Sequence, residues 1–364
     1  MKKLLFILLT FLFTSTLSAQ NLKLIVGTFT RANNSEGIYI YDFNTKTAET
    51  KPLGIVKSPA DQGYLALSDD NKVIYSTYML KDKSAVTAYS FDKSTGASKL
   101  INELPAGNNP CYIITDGINV ITANYGGGNI NVYGIANDGS LQNEKQLIQH
   151  KGSGPDPRQA SAHAHQVVFT PDKKYVLAVD LGEDKIYTYH YNAKADTPLI
   201  YKTSIGINAG TGPRHITFSP NGKFVFLVHE FTGRINVYNY QDGNLFLKQN
   251  IETTPTNFEG KIDGAAIQTS ADGKFLYQTN RGDANTVSTF SIAKNGHLKL
   301  VETISTLGKG PRFFTIDPSG NFLLVAHQYT NDVVIFNRNK KTGKLTDSGK
   351  RINVGTPVCL VFSK

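Results

Sequence analysis

The chain has 364 residues and a formal charge of +9, with 38 lysines and arginines against 29 acidic residues. Both signs are scattered rather than gathered into a basic run, so nothing in the charge pattern supports nucleic-acid binding; a mildly basic surface with an anion-attracting mouth fits it. Two cysteines are too few for a disulfide scaffold, while many Gly, Tyr and Phe residues, with 2 Met and no Trp, fit an all-β chain.

The first element in chain order covers residues 1–19. Lys2 and Lys3 precede an apolar run over residues 4–13 broken only by Thr10, and Leu17-Ser18-Ala19 stands before Gln20. This is the layout of a secretory signal peptide, and the run is shorter than the roughly 20 residues a membrane helix needs. No cysteine lies near the cleavage point, which removes a lipid anchor. The mature protein is expected to begin near Gln20. Losing two lysines takes its charge from +9 to +7. It should be exported to the periplasm or beyond, free of the membrane and monomeric. Residues 20–364 are expected to form one domain, since closed all-β architectures often run this long.

From there one pattern recurs: a Gly or Pro, a short apolar strand, a turn, a second strand, then a hairpin into a third. Its clearest copy runs Gly212-Pro213-Arg214-His215-Ile216-Thr217-Phe218 into the turn Ser219-Pro220-Asn221-Gly222. The residues that open the turn are Ser68, Asp116, Thr170, Ser219, Ser270, Asp317 and Ser363, at steps of 48, 54, 49, 51, 47 and 46 residues. A period of that size with four short strands per unit indicates propeller blades, and the period of two within units excludes a helical solenoid. The seventh copy supplies only residues 357–362, and strands over 22–29, 37–43 and 50–56 supply the rest. The expected fold is a seven-bladed β-propeller whose last blade is closed by strands from both chain termini. Cys111 and Cys359 then fall in blades two and seven with one blade between them. That separation is too far for a bridge that needs Cα atoms within about 7 Å, so two free, mostly buried thiols are expected.

In a propeller the first strand of each blade lines the channel, and the end of the second strand lies on the same face as the start of the first. Alignment of the copies gives an inner ring of Gly63, Cys111, His165, Arg214, Ala265, Arg312 and Val358. A second ring contains Thr28, Met79, Tyr125, Leu181, Glu230, Arg281 and Gln328. The polar members come mainly from blades three to six and should gather on one side of one mouth. The opposite face carries turns whose Asp, Asn, Gly and Pro follow from turn geometry alone. Each candidate also has a structural role open to it: Arg214 and Arg312 as braces for a carboxylate, and Glu230 as an ion-pair partner of Arg214 or Arg281. The pair His163 and His165 has no matching cluster of further ligands, so neither a metal nor another cofactor is expected. Tyr125-Gly126-Gly127-Gly128 opens no helix and reads as a tight loop rather than a phosphate-binding one.

Several segments carry a resemblance: Val26-Gly27-Thr28-Phe29 with Gly37-Ile38-Tyr39-Ile40-Tyr41, Ala123-Asn124-Tyr125-Gly126-Gly127-Gly128, His163-Ala164-His165, Gly212-Pro213-Arg214-His215, Asn280-Arg281-Gly282 and Gly310-Pro311-Arg312. Over essentially the whole mature chain the sequence resembles the propeller-type lactonase family, which includes bacterial 6-phosphogluconolactonases and fungal carboxymuconate cyclases. The resemblance implies metal-free hydrolysis of a sugar lactone, with the family's active-site His, Arg, Glu and second Arg falling on His165, Arg214, Glu230 and Arg281. Arg312, Tyr125, His163 and Gln328 are the expected substrate contacts. Because the phosphorylated substrate is cytosolic and this chain reads as exported, an unphosphorylated or otherwise acidic lactone is an alternative. Adjacent arginines should keep Glu230 ionised as a base, leaving His165 as the proton donor, Arg214 beside the oxyanion, and Arg281 and Arg312 on the substrate's anionic group. Two rival functions remain open on these residues: a cycloisomerase and a non-catalytic binding platform.

Overall fold

The computed structural model describes residues 21–32, 34–253 and 258–363; the expected signal peptide lies outside them. Among the described residues no helix is long and apolar enough to cross a membrane. The chain forms seven four-stranded antiparallel sheets arranged as the blades of a propeller. In blade four the strands are Pro213–Phe218, Phe224–His229, Ile235–Gln241 and Asn244–Ile251.

The pattern of burial follows from stacking blade on blade. Second strands such as Tyr175–Asp180 and Phe322–His327 are buried at every residue, because a sheet covered on both faces takes a continuous apolar run. Fourth strands such as Leu298–Ser305 leave Lys299 and Leu300 in solvent. The buried apolar residues fall into seven clusters, each joining two neighbouring blades. Val73, Tyr75 and Val86 of blade one meet Ile113 and Val120 of blade two, and Phe322, Leu324 and Ile335 of blade six meet Leu24, Phe43 and Leu360 of blade seven.

Blade seven has the order Pro357–Phe362, Asn21–Thr28, Gly37–Asn44, Thr50–Lys57, so both chain ends close it, with Leu360 opposite Val26. The strands at the two chain ends are thereby paired with each other inside a complete four-stranded blade. Cys111 and Cys359 are both free.

One feature of the innermost strands sets up the mouth. Their pairing skips a residue near the start. In blade four it passes from Pro213↔His229 to His215↔Val228, leaving Arg214 out. The same step leaves out Cys111, His165 and Arg312 in blades two, three and six. A β-bulge of this kind bends the strand and re-aims the extra side chain, here toward the channel. Blade one differs: its first strand is only Leu65–Leu67, and an isolated bridge from Asp61 to Met79 continues it to the mouth.

Because Leu360 is 2% exposed at the closure, Leu360→Ala is expected to destabilise the protein by about 2–5 kcal/mol. Denaturant unfolding followed by circular dichroism should show one earlier transition for the whole ring rather than separate loss of one blade.

Candidate active site

The mouth holds a cavity of about 410 Å³ whose wall includes His165, Arg214, Glu230, Arg281, Arg312, Tyr125 and Gln328. Two glycines fix its geometry. Gly212 has φ +61°, and a Cβ there would lie 2.8 Å from the Phe231 ring. Its carbonyl accepts the Glu230 N–H at 2.6 Å, which sets Glu230 facing Arg214. Gly310, at φ +70° and with a Cβ there only 2.5 Å from the Tyr329 ring, accepts the Gln328 N–H at 2.9 Å in the same way.

His163 does not line this cavity. It stands just before its strand, stacked on Tyr125 with ring centroids 4.3 Å apart, and its Nδ1 is 2.8 Å from the Tyr125 carbonyl oxygen. It therefore backs Tyr125, whose ring meets His165 edge-on at 5.6 Å. The loop that carries Tyr125 is tight for a visible reason: at Gly128 a Cβ would come within 2.5 Å of the Ala162 carbonyl.

Glu230 is the centre of the polar cluster. Its Oε2 accepts from Arg214 Nε at 2.9 Å, lies 3.1 Å from Arg281 Nη2 and stands 3.8 Å from His165 Nε2. Burial alone would raise its pKa, but Arg281 and Arg214 overcome that and hold it down at about 2. Arg214 is 2% exposed. It also donates from Nη1 to the Ala265 carbonyl, while the same Nη1 lies 3.2 Å from both ring nitrogens of His215. Burial, with Arg281 and Arg312 nearby, lowers its guanidinium to about 9, so it stays charged at neutral pH. Arg281 is engaged through Nη2 with Glu230 and the Gly264 carbonyl, while its Nε has no hydrogen-bond partner among the described residues. Arg312 has no ion pair or hydrogen bond among the described residues and lies over Phe29 at 5.3 Å.

Two histidines share the site. Burial and then Arg214 push His165 well below the usual histidine range, so its ring is neutral. A neutral ring must accept a proton before it can donate one, a step that the sequence reading of His165 as the proton donor did not include. His215 is likewise held neutral by burial and Arg214, and it meets His165 edge-on at 5.2 Å. With Tyr64, Tyr112 and Phe313 it forms an aromatic floor in which the two tyrosine rings are 3.9 Å apart. Beneath that floor a second cavity of about 330 Å³ includes Gln166, Phe218 and Gln268 in its wall.

A family model described as "Lactonase, 7-bladed beta-propeller" matches residues 23–362. The chain belongs to this lactonase family. It is 37% identical over 346 residues to a 6-phosphogluconolactonase of Bacillus subtilis, covering 93% of this chain and 97% of that one. A Bacteroides fragilis protein of solved structure is 40% identical with a TM-score of 0.91, covering 96% and 99% of the two chains. A periplasmic gluconolactonase of Pseudomonas aeruginosa is 32% identical with a TM-score of 0.90, covering 95% and 99%.

Several wall residues of this lactonase escaped the sequence reading. His215 follows Arg214 directly, and strict strand alternation would send it away from the arginine; the bulge brings both to the channel. Phe29 directly follows the ring position Thr28, where the strand ends, and Arg31 and Asp61 come from connections outside the aligned repeat, which carries no signal for them. One buried group away from the mouth, His150, Asp180 and Glu183, has potential ligand atoms within 4.8 Å of one another. Those atoms are already engaged: His150 Nδ1 with Asp180 at 2.7 Å, His150 Nε2 with Tyr189 at 2.9 Å, and Glu183 with Tyr187 and Lys185 at 2.9 Å each. Neither His163 nor His165 belongs to it.

Cys111 borders the cavity but donates to the His165 carbonyl at 3.3 Å, and burial pushes its thiol up to about 12 against the pull of Arg214 and Arg312. Cys359 is pushed to about 12 by burial as well. A thiol reagent at neutral pH should therefore leave the native protein essentially unlabelled and titrate two thiols after unfolding. Rapid labelling of native Cys111 would contradict this.

Proposed function

We propose that this lactonase hydrolyses an anionic sugar lactone by metal-free acid–base catalysis at His165, Glu230, Arg214 and Arg281, with Arg312 holding the anionic group. The observation that carries the reading is the arrangement around Glu230 Oε2. Two guanidiniums keep it ionised on one side, and a neutral imidazole faces it across 3.8 Å on the other.

That gap suits a nucleophilic water. An oxygen about 2.8 Å from both atoms, on the cavity side, would donate one hydrogen to Glu230 and the other to His165. As the water oxygen bonds to the lactone carbonyl carbon, His165 takes its proton, and the imidazolium that forms is stabilised by the Glu230 carboxylate. Arg214 and Arg281 leave one positive charge in excess of Glu230 beside the developing oxyanion. That charge acts in a desolvated site where it is worth more than in water. Collapse of the tetrahedral intermediate breaks the ring C–O bond, and His165 returns its proton to the leaving alkoxide. Tyr125 and Gln328 border the sugar ring, and His163 holds Tyr125 in place.

The physiological lactone is proposed from the relatives: one is named for a phosphorylated aldonolactone and another for gluconolactone in the periplasm. Residues 1–19 would direct export, which N-terminal sequencing of the protein from its native host tests directly; a start at Gln20 supports it and a retained Met1 refutes it.

Rates of lactone opening by pH-stat should fall by about 100-fold or more in kcat/KM for correctly folded His165→Ala, Glu230→Gln and Arg214→Ala. No rate above the uncatalysed background on any aldonolactone would remove the hydrolase reading. The pH profile gives a second check. His165 must be unprotonated to act, so kcat/KM should be level through pH 7, with its acid-side decline at a midpoint below the ordinary histidine value of 6.5. Loss of activity centred at or above that value would place the base on another group.

A further inference from the structure

One residue of the mouth touches the reacting groups yet has no task in the proposed hydrolysis. His215 is 4% exposed and lines both the active cavity and the cavity beneath it. Successive residues of a regular strand point to opposite faces, so an arginine and the histidine after it would not meet. The bulge at Arg214 removes that constraint and lets the guanidinium reach its own neighbour.

Two equal distances fix how they meet. Arg214 Nη1 lies 3.2 Å from Nδ1 and 3.2 Å from Nε2 of the imidazole. In the ring plane every point that far from both nitrogens collides with a ring carbon, so Nη1 lies over the face and directs an N–H into it. This is a cation on an aromatic face, a contact that strengthens when it is desolvated, and Arg214 is 2% exposed. The imidazole plane is itself held by three rings nearly perpendicular to it: His165 at 72°, Tyr112 at 81° and Tyr64 at 89°. On the guanidinium, Nε donates to Glu230 and Nη1 to the Ala265 carbonyl as well as to the His215 face. Nη2 is the nitrogen left without a hydrogen-bond partner among the described residues.

We infer that His215 is a positioning residue for oxyanion stabilisation: its ring is the platform on which Arg214 Nη1 rests, which leaves Nη2 aimed at the lactone carbonyl oxygen. The inference rests on the proposed lactone hydrolysis and adds a residue to it. A donor aimed before the reaction needs no reorganisation as charge develops on that oxygen, whereas a misplacement of about 1 Å at a reacting group can cost 100-fold in rate. Burial and Arg214 keep the ring neutral, as a platform for a cation requires.

The test separates the face of the ring from its nitrogens. His215→Phe keeps an aromatic face without a nitrogen, and His215→Asn keeps a nitrogen without a face. With folding checked by circular dichroism, His215→Asn should lose about 10- to 30-fold in kcat on an aldonolactone, the worth of a desolvated cation–π contact. Its KM should change by less than about twofold, as for a group that acts only in the transition state. His215→Phe should recover kcat to within about threefold of the wild-type value. Because the effect runs through Arg214, adding His215→Asn to Arg214→Ala should cost no more than about twofold beyond Arg214→Ala alone. An unchanged kcat in His215→Asn, a loss of about tenfold or more in folded His215→Phe, or the full further loss in the Arg214→Ala background would each overturn the inference and leave the lactonase reading intact. The His215→Phe outcome decides by itself if His215→Asn does not fold. Failure of the wild-type protein to open any aldonolactone would overturn both.

Discussion

Closure of the ring depends on strand Pro357–Phe362 pairing with Asn21–Thr28, and the rest of the molecule depends on that closure. Each blade buries its apolar residues only against its two neighbours, so no blade completes its core until the seventh is built from both chain ends. Once the ring is shut, the starts of the innermost strands converge on one channel mouth. A single extra residue in each of four of those strands turns Cys111, His165, Arg214 and Arg312 toward it. Polar groups that would destabilise a packed wall are thereby collected into one cavity.

Inside that cavity, charge is arranged rather than merely accumulated. Glu230 is held in a desolvated setting by Arg214 and Arg281, and removal of either partner would leave a buried charge without full compensation. Burial and then Arg214 keep His165 neutral, so carboxylate and imidazole face each other in complementary protonation states. The aromatic floor of Tyr64, Tyr112, His215 and Phe313 divides this site from the lower cavity, and Cys111 braces the His165 backbone without acting as a nucleophile.

Much of this was legible in the sequence, because a period near 50 residues and a truncated last copy leave few topologies open. The aligned positions of Arg214 and Glu230 identified the mouth, since repeats place equivalent residues at equivalent heights. What alignment could not show was local backbone geometry and desolvation. His163 was counted with His165 on strand alternation, yet it stands ahead of the strand and packs behind Tyr125. Arg281 was read as a substrate ligand, and its Nη2 also pairs with Glu230. The reading of His165 as proton donor did not include burial, the largest influence on its ring, which leaves it neutral until it takes up a proton. Arg31 and Asp61 lie in connections outside the repeat, where periodicity carries no information.

The central claim is that His165 and Glu230 work as one unit on a single water. A double-mutant cycle in kcat/KM for lactone opening, using His165→Ala, Glu230→Gln and the combined variant, tests it most directly. Groups that act as a unit are strongly non-additive, so the double variant should lose about as much activity as the worse single variant. Losses that multiply would show two independent contributions and contradict the account.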